Sequence, residues 1–137
     1  MADYVLIVDD DMSVRQVLSD MIAILGRKVQ TARDGEEALE KIQMSHPVLV
    51  LLDIMMPKLD GFGVLARLRA NPGTRHIPVI VITGVGSDQI DMLRLPGVMD
   101  VIQKGAFSIS GLKVLIDKAL GEAAPPHAGA AGPPQSA

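Results

Sequence analysis

The stretch "VLIVDDDMS", Val5 to Ser13, sets an unbroken aliphatic run against three adjacent acids. Four β-branched or leucine residues in a row, without alternation, fit a strand buried on both faces, as in a parallel sheet. Such strands do not ordinarily end on neighbouring like charges. Two of them about 4 Å apart repel by roughly 4 kcal/mol at the effective dielectric of a protein surface. Asp9, Asp10 and Asp11 therefore raise the question of what offsets them, and whether all three share one task.

Four further apolar runs extend the pattern. Val48–Leu52 is continuous like the first run, and Pro78–Ile82 carries its proline at the start, where a missing N–H costs least. Val29-Gln30-Thr31 alternates and reads as an edge strand, and Val98–Ile102 is a fifth candidate. Helical patterns lie between them. Ser13 with Gln16 fits a capping box ahead of an apolar face of Val14, Val17, Leu18, Met21 and Leu25, and Gly26 fits the stop. Asp34 with Glu37 repeats the signal before Ala38, Leu39 and Ile42. Phe62, Leu65 and Leu68 line a third helix, ended by Asn71-Pro72-Gly73. A short helix is expected over 87–95, ahead of Pro96, and a last one along Leu112, Leu115, Ile116, Ala119 and Leu120. Alternating strands and helices imply an α/β fold, a parallel sheet covered on both faces.

At 137 residues the chain is long enough for one domain with a real core. Residues 1–120 carry the periodic pattern. Residues 121–137, "GEAAPPHAGAAGPPQSA", have none and read as a disordered tail or the stub of a linker. The net charge of −3 and the scattered basic residues (Arg67 with Arg69, Arg75 with His76) make no stripe for tracking phosphates, so direct nucleic-acid binding is not expected. There is no cysteine, which excludes disulfides and thiolate metal sites. No apolar stretch approaches the roughly 18 residues of a membrane span. The N-terminus, with Asp3, does not resemble a signal peptide. A soluble cytoplasmic protein is the expectation.

In parallel α/β sheets the ligand site lies beyond the carboxyl ends of the strands. There this sequence places Asp9, Asp10 and Asp11, then Asp53 from "VLLDIMMPKLDG", Thr83 from "VIVITG" and Lys104 from "VIQKGAF". The acid pair, Asp53-x-x-Met56-Pro57, Lys58-Leu59-Asp60-Gly61 and the strand-end threonine and lysine together resemble the receiver domain of two-component response regulators, over residues 4 to about 120. The resemblance implies the flavodoxin-like, doubly wound five-stranded sheet of order 2-1-3-4-5.

It also implies a chemistry. Asp53 would take a phosphoryl group from the phosphohistidine of a sensor histidine kinase or phosphotransfer protein. Asp9, Asp10, Asp53 and the Met55 carbonyl would hold Mg²⁺ (or Mn²⁺), Asp10 directly and Asp9 through water. Lys104 would pair with Asp53 and then with the phosphoryl oxygens, and Thr83 would donate its hydroxyl to the arriving group. The output would be altered binding of a downstream protein target or output domain, with only self-catalysed phosphorylation and dephosphorylation. Asp11 is expected to stay outside the metal shell and lead into the first helix, and Asp60 to be a turn residue. His46, His76 and His127 are read as surface residues, and the methionines as core filling.

Three positions depart from the family pattern. Gly105 stands where proline usually follows the lysine through a cis peptide. A cis bond before a non-proline costs roughly 2.5–4 kcal/mol, so Lys104–Gly105 is expected to be trans. Val101 occupies the place of the customary aromatic on the fifth strand and cannot swing a ring between buried and exposed positions. Pro96, with a Thr83-to-Lys104 interval one residue short, points to a short or bent helix before the fifth strand. A competing reading takes Asp9-x-Asp11 as the motif of a haloacid-dehalogenase-type Mg²⁺-dependent phosphatase. It leaves Asp53-x-x-Met56-Pro57 unexplained and lacks suitably placed acids after the lysine, where only Asp117 and Glu122 follow.

Overall fold

The computed structural model describes residues 4–56, 60–84, 93 and 95–121. Five strands, β1 (Tyr4–Val8), β2 (Lys28–Ala32), β3 (Leu49–Asp53), β4 (Val79–Thr83) and β5 (Val98–Gln103), form one sheet of order β2-β1-β3-β4-β5. All neighbours are parallel. The helices are α1 (Met12–Ile24), α2 (Gly35–Met44), α3 (Gly61–Ala70) and α4 (Ile109–Ala119). This is the doubly wound architecture of order 2-1-3-4-5. Pro57, Lys58, Leu59, all but Leu93 and Leu95 of the helix expected over 87–95, and the tail from residue 122 lie outside the described residues.

The aliphatic runs explain the layering. Along β1, Val5 and Ile7 join Leu18 and Ile22 of α1 and Leu112 and Ile116 of α4. Tyr4, Leu6 and Val8 face Ala38 and Ile42 of α2 and Val64, Leu65 and Leu68 of α3. Both faces are covered, so strands β1, β3 and β4 are buried along their whole length. The alternating β2 takes one edge, as its pattern indicates, and the half-buried β5 takes the other.

Several local expectations need correction. The N-cap of α1 is Asp11, whose carboxylate accepts from the Ser13 and Val14 amides at 2.8 and 3.4 Å. Ser13 is already inside the helix, and Gln16 donates to Asp20 at 2.9 Å instead of closing a box. On α1, Val17 is 45% exposed while Ile22 is fully buried. Leu18 and Ile22, four residues apart, form the stripe over the sheet, and Val17 lies to one side of it. On α3, Phe62 is likewise exposed, and Val64 takes the buried place beside Leu65 and Leu68. The Asp34 cap stands as expected, accepting from the Glu37 amide at 2.8 Å, and Gly26 after α1 has φ +82°. No helix among the described residues is long and apolar enough to cross a membrane.

Candidate functional site

Parallel strands that start in register end in register, and β1, β3, β4 and β5 bring their last residues to one sheet edge. Asp9 follows Val8, Asp53 closes β3 opposite Ile82, and Thr83 closes β4 opposite Gln103. Asp9, Asp53 and Thr83 are all buried, whereas Asp10 and Asp11 are exposed.

Lys104 is the hub of this edge. Its Nζ donates to Asp53 Oδ2 at 3.2 Å and to Asp9 Oδ1 at 3.3 Å, and stands 3.1 Å from Asp9 Oδ2. Oδ2 itself makes no hydrogen bond and is buried. The Lys104 amide donates to the Thr83 carbonyl at 2.6 Å, tying the ends of β4 and β5 together. One ammonium thus faces two buried carboxylates, and their mutual repulsion is only partly offset. Burial pushes the Asp53 carboxyl up to about 6 from its ordinary 3.8 and outweighs the hydrogen bond from the Met55 amide. Asp9 pushes the same way, and Lys104 opposes it. For Lys104, burial alone would lower the pKa, but the two acids raise it on balance.

Asp9, Asp10 and Asp53 each present a carboxylate oxygen within 4.8 Å of the others. Asp11 is not in that group, because its carboxylate caps α1. The three adjacent acids therefore divide their work. Two join Asp53. The third builds the corner: its amide donates to Asp9 Oδ1 at 2.8 Å and its carbonyl accepts from the Arg15 amide at 3.1 Å.

The departures at β5 acquire physical form. The Lys104–Gly105 peptide is trans. Gly105 has φ +89° and occupies the third position of a turn closed by the Ala106 amide on the Gln103 carbonyl at 3.1 Å. A turn with positive φ there favours glycine, so the lysine is followed by the residue this path requires. Val101 packs against a small apolar cluster of Ile54, Val81 and Leu93. Pro96 and Gly97 form a turn entering β5, with the Val98 amide on the Leu95 carbonyl at 3.0 Å.

Two residues at the edge escape a reading of the sequence. Arg15 donates from Nη1 to the Asp9 carbonyl at 2.7 Å. Gly61 packs so tightly that a Cβ would lie 2.5 Å from the Asp53 carbonyl oxygen and 2.5 Å from Ile54 Cα. An arginine in the first turns of the helix after the acids was a signal for the former; nothing local marks the latter beyond its place behind a turn acid.

Comparison with known proteins agrees with this geometry. Residues 5–116 match the profile described as the response regulator receiver domain. The "Probable transcriptional regulator ycf27" of Porphyridium aerugineum is 42% identical over 118 residues, 85% of this chain and 47% of that protein. The gliding motility regulatory protein of Myxococcus xanthus is 36% identical over 115 residues, 83% of this chain but 15% of its own. This chain thus spans less than half the length of these curated relatives. Among solved structures, the chemotaxis protein CheY4 of Vibrio cholerae superposes with a TM-score of 0.76 at 27% identity, covering 88% of this chain and all of that one. A receiver domain of a signal transduction histidine kinase from Syntrophus aciditrophicus gives 0.76 at 28% identity, covering 88% and 91%. With the acid trio, strand-end threonine and strand-end lysine on one edge of a 2-1-3-4-5 sheet, the chain belongs to the response regulator receiver domain family of two-component signalling.

Proposed function

We propose that Asp53 is the phosphoacceptor of a signalling switch. The observation that carries this is the Asp53 carboxylate itself: buried at a strand end, 3.2 Å from the Lys104 ammonium and beside the Asp9 and Asp10 carboxylates. An Asp53 oxygen attacks the phosphorus of a phosphohistidine in line. The O–P bond forms as the P–N bond breaks, and the imidazole leaves with the electron pair and takes up a proton. Lys104 follows the charge from the carboxylate to the phosphoryl oxygens, and Thr83 donates its hydroxyl to the new group.

The donor set suits a hard divalent cation. Asp9 Oδ2 is a buried carboxylate oxygen that meets the Lys104 ammonium at 3.1 Å but accepts no hydrogen bond, and the three acids bring their oxygens together. Asp9, Asp10, Asp53 and the Met55 carbonyl would hold Mg²⁺ (or Mn²⁺), which supplies charge neutralisation when bound. Phosphoryl donors are a sensor histidine kinase or a phosphotransfer protein, and the recipient of the signal is a downstream protein target or output domain, in the cytoplasm. The chain catalyses its own loading and unloading rather than acting on a separate substrate. Residues 1–120 form the receiver, with 121–137 as tail or linker. Because Val101 has no ring to swing, the signal leaves through the backbone and the helix expected over 87–95. Direct contact with nucleic acid falls outside this reading; the matched region covers less than half of the relatives named as transcriptional regulators.

Incubation with Mg²⁺ and acetyl phosphate or phosphoramidate, followed by intact mass, tests the assignment. One phosphoryl adduct is expected, lost in Asp53→Asn and kept in Asp11→Asn. Catalytic turnover that needs Asp11 would overturn it in favour of a phosphatase.

A further inference from the structure

Arg15 has no place in the phosphoryl chemistry described above, yet it reaches back from α1 to the strand end. At the β1–β2 pair the ladder runs to the Asp9 amide, which donates to the Ala32 carbonyl at 3.1 Å. There β2 ends, and the next amide, that of Arg33, donates to Glu37 Oε1 at 2.8 Å. The Asp9 carbonyl points beyond the last rung, and the Arg15 guanidinium donates to it at 2.7 Å. A charge-assisted bond of that length is a strong one. It fixes the peptide that joins Asp9 to Asp10.

That peptide leads into Asp10, whose carboxylate has an oxygen within 4.8 Å of those of Asp9 and Asp53. Asp9 is held by three other groups and by burial: its amide by the Ala32 carbonyl, and its Oδ1 by the Asp11 amide and the Lys104 ammonium. Asp10 is exposed and closes the acid trio from the solvent side. Its placement depends on the backbone on either side: the Asp9 carbonyl, held by Arg15, and the Asp11 amide, held by Asp9 Oδ1.

We propose that Arg15 is the positioning residue of the cation site, acting through the Asp9–Asp10 peptide to hold Asp10 in reach of Asp9 and Asp53. The proposal rests on the reading of Asp9, Asp10 and Asp53 as a divalent-cation site. It makes a prediction opposite in sign to that of charge alone. A cation near the acids repels Mg²⁺, so removing Arg15 should tighten Mg²⁺ binding if charge were its whole effect. If Arg15 orients the site, removing it weakens binding, and groups that orient ligands in this way typically matter by 10–100-fold.

The test is a Mg²⁺ titration of the unphosphorylated full chain, read by amide chemical shifts, with thermal unfolding in metal-free buffer alongside. Arg15→Ala and Arg15→Gln are expected to bind Mg²⁺ about tenfold more weakly or worse, while Arg15→Lys, which can still donate to the Asp9 carbonyl, stays close to wild type. Equal or tighter binding in the neutral variants overturns the proposal, as does equal weakening in Arg15→Lys and Arg15→Gln. Should Arg15→Ala fail to fold, the Lys and Gln pair decides by the same comparison. Asp10→Asn separates the two layers of the argument. Wild-type Mg²⁺ affinity in that variant defeats the cation-site reading itself, whereas its loss together with unchanged affinity in Arg15→Gln defeats only the role of Arg15.

Discussion

Gly61 lies directly against the backbone of Asp53: a methyl group at its Cα would sit 2.5 Å from the Asp53 carbonyl oxygen. Its amide meanwhile donates to the Ile54 carbonyl at 3.2 Å. The first residue of α3 and the end of β3 are therefore one packed unit. Both obstructing groups are backbone, which cannot rotate away as a side chain can. Gly61→Ala is expected to cost about 1–3 kcal/mol, the range for overpacking a close contact. Urea unfolding measures it. The site should feel it too, as displaced amide shifts at Asp53, Ile54 and Met55. A variant as stable as wild type would mean that α3 can shift outward without strain.

Asp53 makes stability depend on pH in a direction unusual for a carboxylate. The folded chain holds its proton to about pH 6, against an ordinary value of 3.8. Between those values the folded state binds the proton more tightly than the unfolded state does. Stability contributed by this group is therefore complete below the lower value and is lost as pH rises through about 6. Asp53→Asn has no proton to lose. In metal-free buffer the variant should be more stable than wild type above pH 6, by on the order of 2–3 kcal/mol, with the gap closing toward pH 4. Thermal or urea unfolding from pH 4 to 8 reads it, and a constant gap would contradict the burial argument. Added Mg²⁺ is expected to favour wild type, narrowing the difference at neutral pH.

Asp11 should matter to the fold and not to the chemistry. Its carboxylate satisfies the Ser13 and Val14 amides at the start of α1, and replacing such a cap by alanine costs about 0.5–2 kcal/mol. The bond from its amide to Asp9 Oδ1 belongs to the backbone and survives the change. Asp11→Ala is thus predicted to unfold earlier yet still take up a phosphoryl group from acetyl phosphate. Loss of labelling in a folded variant would return Asp11 to the site.

At the opposite end of the sheet, Arg69 stitches three segments together. Its guanidinium donates to the carbonyls of Arg75, Gly97 and Ile77, the last at 3.1 Å. Gly97 has φ +87°, and a Cβ there would lie 2.1 Å from Arg69 Nε. Arg69→Met should cost about 2 kcal/mol or more, since bonds from a charged donor are lost and carbonyls are left unmatched. Gly97→Ala should also destabilise, and by less in the Arg69→Met background, where the steric part is relieved. A double-mutant cycle by urea unfolding tests this coupling; strict additivity would show that only the backbone conformation of Gly97 matters.

The sequence by itself determined the sheet and the strand-end residues that the fold gathers at one edge. It could do so because these signals are local. An unbroken aliphatic run means a strand covered on both faces, and the residue after such a strand must lie at its carboxyl end. Asp9, Asp10, Asp53, Thr83 and Lys104 are legible in that way. So is the trans peptide before Gly105, which follows from the cost of the alternative. The division of labour among Asp9, Asp10 and Asp11 was partly legible: the separation of Asp11 was expected, but not that it displaces Ser13 as the cap.

Only the tertiary structure decided the rest, because it depends on contacts between segments distant along the chain. Helix periodicity marked an apolar face on α1 but could not choose between Val17 and Ile22, since that choice is made by where the sheet lies. The rise of the Asp53 pKa comes first from its burial in the folded chain, and the Lys104 ammonium reaches Asp9 across 95 positions of chain. The close approach of Gly61 to Asp53, and the reach of Arg15 to the carbonyl beyond the last rung of the ladder, exist only once the strands have closed into a sheet and the helices have packed upon it.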